Sequence, residues 1–288
     1  MKLIKKMACI AGAAMALAGT AQAASIVNDW GFNPNGTGFA TATIINENLD
    51  FSGRALIVLT PTGGGTFSFK EYATFSVTQY DGGVPLPTPN YITAIFEASG
   101  TGTFSGNFTF ASGKMDIYSD TANNFGLLSA SSTLINGSND GTKIGSFNVL
   151  AGGGGLVDGT GNPTGNGKVI VNMSAVAGDL TAGYWFNPTG GDLSTQDILS
   201  FAFTDANPLQ VPTASNVKEY ACDFAGLTPV GVNCATGAGW NPATNPGLLW
   251  IGNNGQFKLA TVPEPASLAL VGLALLGAGV ARRRTTRA

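Results

Sequence analysis

The chain has 288 residues, a formal net charge of −3, no histidine and only 11% charged side chains, against 44% hydrophobic residues and 41 glycines. The lack of histidine removes the commonest general base and metal ligand, and with it any Ser-His or Cys-His catalytic pair. No Gly-x-Ser-x-Gly nucleophile turn is present, and neither Gly100-Thr101-Gly102 nor Gly159-Thr160-Gly161 has the spacing of a dinucleotide fingerprint, so both are read as turns.

Residues 1–23 read as a secretory signal peptide, a short helix in the fold. Lys2, Lys5 and Lys6 form its basic region and Met7 to Gly19 its apolar core. Ala21-Gln22-Ala23 is the small-x-small cleavage site, and Ala24 the mature start. Cys9 lies in the apolar core and leaves with it.

Residues 24–261 are predicted to form one secreted β-rich domain, an antiparallel sandwich or barrel-like fold. Gly, Thr, Ser, Asn and Phe abound there, while Lys, Glu and Gln are too scarce to cover helices. Ala55 to Leu59 is a continuous apolar run, expected where a strand is buried on both faces. Phe67, Phe69, Phe75 and Val77 alternate with polar residues, as do Ile92, Ala94, Phe96 and Ala98, then Phe104, Phe108 and Phe110. Val169 to Val171 and Phe201 to Phe203 add later strands. Asn-Gly at Asn35, Asn136, Asn166 and Asn254, and Asp-Gly at Asp81, Asp140 and Asp158, read as hairpin turns. Gly152 to Gly155 reads as an exposed loop, and Val84 to Pro89 as a stiff extended one. The strands are expected between about 40 and 205, with a loop-rich region after about 205. Cys222 and Cys234 lie there with eleven residues between them, and in an oxidising compartment they are expected to form one disulfide.

Residues 262–288 change character. Val262-Pro263-Glu264-Pro265 precedes an apolar run from Ala266 to Ala281, followed by Arg282, Arg283, Arg284 and Arg287. Proline stops any helix upstream, so a helix starts at or after Pro265. The residues 266–281 span about 24 Å against roughly 30 Å of hydrocarbon, a marginal transmembrane helix that arginine snorkelling extends. The basic cluster keeps this end in the cytoplasm and the body outside.

Removing both ends changes the charge. Three lysines leave with the signal, and four arginines and one glutamate with the tail. The body then carries 7 of the 14 basic and 16 of the 17 acidic groups, a net −9. Such a body has no electrostatic footprint for nucleic acid or anionic lipid. It suits neutral or cationic partners, or cation-bridged contacts with acidic polysaccharide.

Residues capable of site chemistry are few. Glu47, Glu71, Glu97 and Glu219 are the body's glutamates, and Glu97, in the strand row of Ile92 to Ala98, is weighed as half of a glycosidase carboxylate pair against an ordinary outward strand residue. Asp158 and Asp140 lie in glycine turns, the kind of loop that can hold calcium, without the twelve-residue EF-hand pattern or a downstream glutamate. No other metal or cofactor is expected. Trp185, Trp240 and Trp250 could stack on sugars, with core packing as the commoner fate.

The tail resembles the PEP-CTERM sorting signal of exopolysaccharide-producing Gram-negative bacteria, in the Pro263-Glu264-Pro265 motif, the apolar span and the terminal arginines. The resemblance implies an exosortase, a membrane cysteine transpeptidase, that recognises this motif, removes the helix and releases or re-attaches the body outside. The body resembles the flocculation-associated branch of such proteins in Leu59 to Phe67, Ile95 to Phe104 and Met115 to Asp120. That implies a non-enzymatic role in extracellular matrix, biofilm and cell aggregation. The expected function is thus an exported structural or adhesive protein of the exopolysaccharide matrix, held transiently at the inner membrane and finally extracellular or on the cell surface. Two alternatives stay open: a carbohydrate-binding or carbohydrate-active protein, and a permanently anchored membrane protein.

Overall fold

A computed structural model of the protein describes residues 25–261, except 88–89, 128–133 and 210. The expected signal helix and cleavage site at 1–24, and the expected sorting motif, transmembrane helix and basic cluster at 262–288, lie outside the described residues. Among the described residues no helix is long and apolar enough to cross a membrane.

The strands run in chain order as β1 (Ser25–Ile26), β2 (Trp30–Phe32), β3 (Thr43–Ile45), β4 (Leu49–Gly63), β5 (Thr66–Tyr80), β6 (Val84–Pro85), β7 (Tyr91–Thr103), β8 (Asn107–Asp120), β9 (Thr142–Val149), β10 (Gly152–Val157), β11 (Pro163–Ala175), β12 (Trp185–Phe186), β13 (Ile198–Pro208) and β14 (Leu248–Thr261). The strand pairs that build the wall of the large sheet are antiparallel. β4, β5, β7 and β8 follow one another as a meander, β9 and β10 share one place between β8 and β11, and β13 and β14 continue it. β14 then pairs back onto β4, from Leu248↔Val58 to Phe257↔Leu49. The sheet is therefore closed. Of the two expected architectures the barrel holds and the sandwich falls, because a sandwich leaves edges that this last pairing removes.

The period-two pattern decides which side faces in. Phe67, Phe69, Ala73, Phe75 and Val77 of β5 are buried, as are Phe96 and Ala98 of β7, Val169, Val171 and Met173 of β11, and Ile251, Phe257 and Leu259 of β14. The alternate residues Ser52, Thr60, Lys70, Glu97, Thr101 and Thr109 are exposed, and Asn172 is half-buried. Apolar inside and polar outside is the reverse of a lipid-facing barrel.

One end of the barrel is plugged. β2, β3 and β12 form a small separate sheet there. The plug's Trp30 ring stacks on Trp185 at 5.8 Å, and Phe32 lies 4.8 Å from Trp185. Trp185 reaches the barrel through Phe147 and Phe257, and its Nε1 donates to the Ile144 carbonyl at 2.7 Å. Asp81, at the hairpin after β5, accepts from the backbone N–H groups of Asn46, Glu47 and Asn48 and ties the chain ahead of β4 to this end.

A helical segment covers part of the outer wall. Ala214–Asn216 is α-helical and Val217–Phe224 continues it as a π-helix. Thr213 and Asn216 form a capping box at its start. Val217, Tyr220 and Ala221 pack on Leu56 and Trp250, the outward residues of β4 and β14. This is why Ala55 to Leu59 is apolar on both faces, as the sequence predicts.

Several sequence expectations fail, and for one reason. Close packing in the barrel wall uses glycine where the sequence pattern suggests a turn. Gly152 to Gly155 is strand β10, wedged between β8 and β11, where a Cβ on Gly154 would stand 1.9 Å from the Phe108 carbonyl oxygen. Gly100-Thr101-Gly102 lies inside β7, and a Cβ on Gly102 would meet the Phe67 ring at 2.4 Å. Asn254-Gly255 and Asn166-Gly167 likewise sit within β14 and β11 and make no hairpin turn. The strands also do not end near 205, since β14 is the stave that closes the barrel. The loop-rich stretch is confined between β13 and β14. There Cys222 and Cys234 form the expected disulfide, with Cα atoms 5.6 Å apart.

Candidate functional site

The barrel interior is not completely filled. A cavity lies among the phenylalanines of β4, β5, β7, β8 and β14, including Phe51, Phe69, Phe75, Phe96, Phe110 and Phe257. It leaves about 60 Å³ for the centres of water-sized molecules, where one water needs roughly 10–15 Å³. Glu71, at the middle of β5, points into it because it shares the inward parity of Phe69 and Ala73. Its cross-strand neighbours are Ile57 on β4 and Ala98 on β7. The Asn253 side chain, inward on β14 and 7% exposed, hydrogen-bonds the Glu71 carboxyl. Among the described residues Glu71 is the only titratable one lining the cavity. Desolvation pushes its carboxyl up to about 7, and the Asn253 hydrogen bond offsets only part of that.

The mouth opposite the plug is closed by the loop between β10 and β11. Gly161 of this loop lines the cavity beside Leu59. Asp158 Oδ1 accepts from Thr160 N at 2.8 Å, Thr160 Oγ1 at 2.7 Å and Asn162 N at 3.0 Å. Burial works against the charged form, yet these hydrogen bonds outweigh it and hold the Asp158 carboxyl below the usual range. Asp140 is at the other end of the barrel, just before β9, and accepts from Asn124 Nδ2 at 2.6 Å. The two calcium candidates thus sit in separate loops. Among the described residues no three His, Cys, Asp or Glu side chains cluster as a metal site.

A second buried polar group lies outside the wall, under the helical segment. Glu219 is fully buried, and its Oε2 accepts from the Asn136 backbone N–H at 2.9 Å. Asn136 Nδ2 donates to Thr74 Oγ1 and to the Tyr220 hydroxyl, each at 3.1 Å. Arg54 Nη1 donates to Asn216 Oδ1 at 2.7 Å. This network pins the helical segment and the 135–138 turn to the barrel wall, and its groups face no cavity of the site.

The tryptophans weighed for sugar stacking take the commoner fate, packing. Trp185 is fully buried in the plug and Trp250 is 4% exposed beneath the helical segment, with Trp240 edge-on to it at 5.6 Å. They form no exposed platform. Packing is the stronger demand on so large an apolar surface. Glu97 is exposed on the outer face opposite Lys114, while the interior glutamate is Glu71. In the sequence Glu71 is one of the body's four glutamates, with no motif around it to set it apart. The signal available was parity: a glutamate at an inward position of a Phe-x-Phe row.

The outer face of β4, β5, β7 and β8 near the mouth carries a row of hydroxyls. Thr60, Ser68, Thr101 and Thr109 stand side by side across four strands. Beside them, the Ser99 and Ser112 hydroxyls hydrogen-bond at 3.1 Å, and those of Thr62 and Thr66 at 2.7 Å. The inward bulk of Phe67, Phe69, Phe108 and Phe110 holds this face in place.

Fold and site together define a closed, meandering antiparallel barrel with an aromatic interior and a hydroxylated outer face. Its last strand ends where a sorting signal begins: residues 261–284 match the PEP-CTERM protein-sorting motif. The match covers Pro263-Glu264-Pro265 and Arg282 to Arg284, and it marks the chain as an exosortase-sorted protein destined for the cell surface or the exterior. Among curated proteins and solved structures, nothing matches the chain.

Proposed function

We propose that the protein is a non-enzymatic structural or adhesive component of an extracellular polysaccharide matrix. A signal peptide exports it from a Gram-negative cell, its C-terminal helix holds it briefly in the inner membrane, and exosortase processes it. The observation that carries this reading is the hydroxyl row Thr60, Ser68, Thr101 and Thr109 on a closed barrel joined to a sorting motif. Hydroxyls fixed side by side on a sheet can hydrogen-bond a polysaccharide along several residues, and a closed barrel presents them without edges that pair with other chains. The net −9 body adds contacts bridged by divalent cations. Support for cell aggregation or flocculation is the expected physiological outcome.

The test is co-sedimentation of the exported protein with matrix polysaccharide from the producing cells. Wild type is expected in the pellet, and Ser68→Glu/Thr101→Glu in the supernatant. Equal sedimentation of both would remove the hydroxyl face from the reading. Turnover of the polysaccharide would replace the reading with an enzymatic one.

A further inference from the structure

The cavity and its lone acid are not explained by a matrix role. A carboxylate in apolar surroundings is costly unless it is paired, and a leucine of similar volume would fill the space without that cost. Glu71 has the Asn253 amide as partner and no cationic side chain lines the cavity. Phenylalanines line the walls, among them Phe69, Phe75 and Phe96, and aromatic rings attract cations through their negative quadrupole. A carboxylate set among aromatic rings is the chemistry that recognises an organic ammonium group. A metal ion would need several oxygen ligands, and one carboxylate with one amide does not supply them.

Charge and size narrow the class. The body is net −9, and Asp158, kept ionised by its hydrogen bonds, sits in the loop that closes the mouth, so cations concentrate there. The free space corresponds to about four to six water-sized groups. We propose that the barrel interior is a binding site for a small primary amine with a short apolar body, its ammonium on Glu71 and Asn253, entering at the Asp158–Asn162 end.

The experiment is calorimetric titration of the exported protein at pH 7 with n-butylamine, and with n-butanol as the uncharged match. Butylamine is expected to bind one to one and n-butanol at least about tenfold more weakly, a difference near one charged contact. Glu71 titrates near 7, so forming the ion pair releases about half a proton per amine, read from the dependence of the heat on buffer ionisation enthalpy. Glu71→Gln is expected to lose the preference for the amine and the proton release, while keeping n-butanol affinity. Equal affinity for amine and alcohol without proton release would overturn the proposal, leaving a merely apolar hole, and so would no binding of either. The proton release needs only the wild-type protein, so a Glu71→Gln variant that fails to fold leaves the test intact. Polysaccharide co-sedimentation is independent of both outcomes.

Discussion

Glu71 on β5 and Asn253 on β14 are joined by a side-chain hydrogen bond inside the barrel, across β4, where Glu71 pairs with Ile57 and Asn253 with Gly53. The bond crosses the β14–β4 pairing that closes the barrel. The closure therefore carries a titratable group whose protonation the fold resists losing.

This sets a pH dependence of stability. The folded carboxyl titrates near 7 and its ordinary value is 4.5, so between these values the folded state binds more protons than the unfolded one. Stability from this group is full below about 4.5 and falls as pH rises through 7, by roughly 3 kcal/mol in total. Glu71→Gln stays neutral at every pH. Wild type should therefore lose about 6–12 °C of Tm relative to this variant between pH 4.5 and 8.5. Scanning calorimetry at those two pH values decides it, and a pH-independent gap would contradict the assignment.

Much of the barrel is legible in the sequence, because its inward residues are apolar at period two on β5, β7 and β8, with phenylalanines prominent on β5 and β8. The strand β14 is not, since Gly252 and Asn253-Asn254-Gly255 look like a turn and only the pairing with β4 and β13 makes them extended. The glycines of β10 mislead for the same reason: close backbone approach and turn chemistry call for the same residue. Of the site, the acid is visible and its setting is not. Parity places Glu71 inward, but Asn253 lies 182 positions further along the chain, and no local pattern links them.

Tyr220 tests the outer network. Its hydroxyl lies 2.5 Å from Thr74 Oγ1 and accepts from Asn136 Nδ2, and burial pushes its pKa up to about 12. Tyr220→Phe keeps the ring against Trp250 but leaves two buried partners short. A loss of about 1–3 kcal/mol in urea unfolding is expected. A change below about 0.5 kcal/mol would show that the network does not hold the segment.

The disulfide staples the same region from the other side. Cys222 is within the helical segment and Cys234 in the loop after it, so Cys222→Ala/Cys234→Ala should loosen residues 225–247 more than the barrel. The chain-entropy estimate for such a loop is roughly 3 kcal/mol. Limited proteolysis should cut the variant there first, with the far-ultraviolet sheet signal retained. Cleavage beginning in β4 or β14 would mean that barrel closure depends on the staple.

Trp185 separates packing from recognition. It is fully buried, stacks on Trp30 and holds the Ile144 carbonyl. Trp185→Ala should cost about 3–5 kcal/mol. Polysaccharide co-sedimentation of the folded fraction should match wild type. Normal stability with lost sedimentation is the outcome that would return this residue to a sugar-binding role.

The sorting motif yields the last prediction. Residues 261–284 match it and begin at the end of β14, so cleavage within the tail leaves every barrel strand on the exported side. Mass spectrometry of the exported protein should find no peptide containing Arg282 or later residues. A Pro263→Ala/Glu264→Ala/Pro265→Ala variant alters the motif while leaving the apolar run intact. It should accumulate in the membrane fraction with its C-terminal arginines, because an apolar run flanked by that basic cluster does not leave the bilayer unaided. An exported wild-type pool that retains Arg282 to Ala288 would instead make the tail a permanent anchor, and the barrel a protein displayed at the membrane.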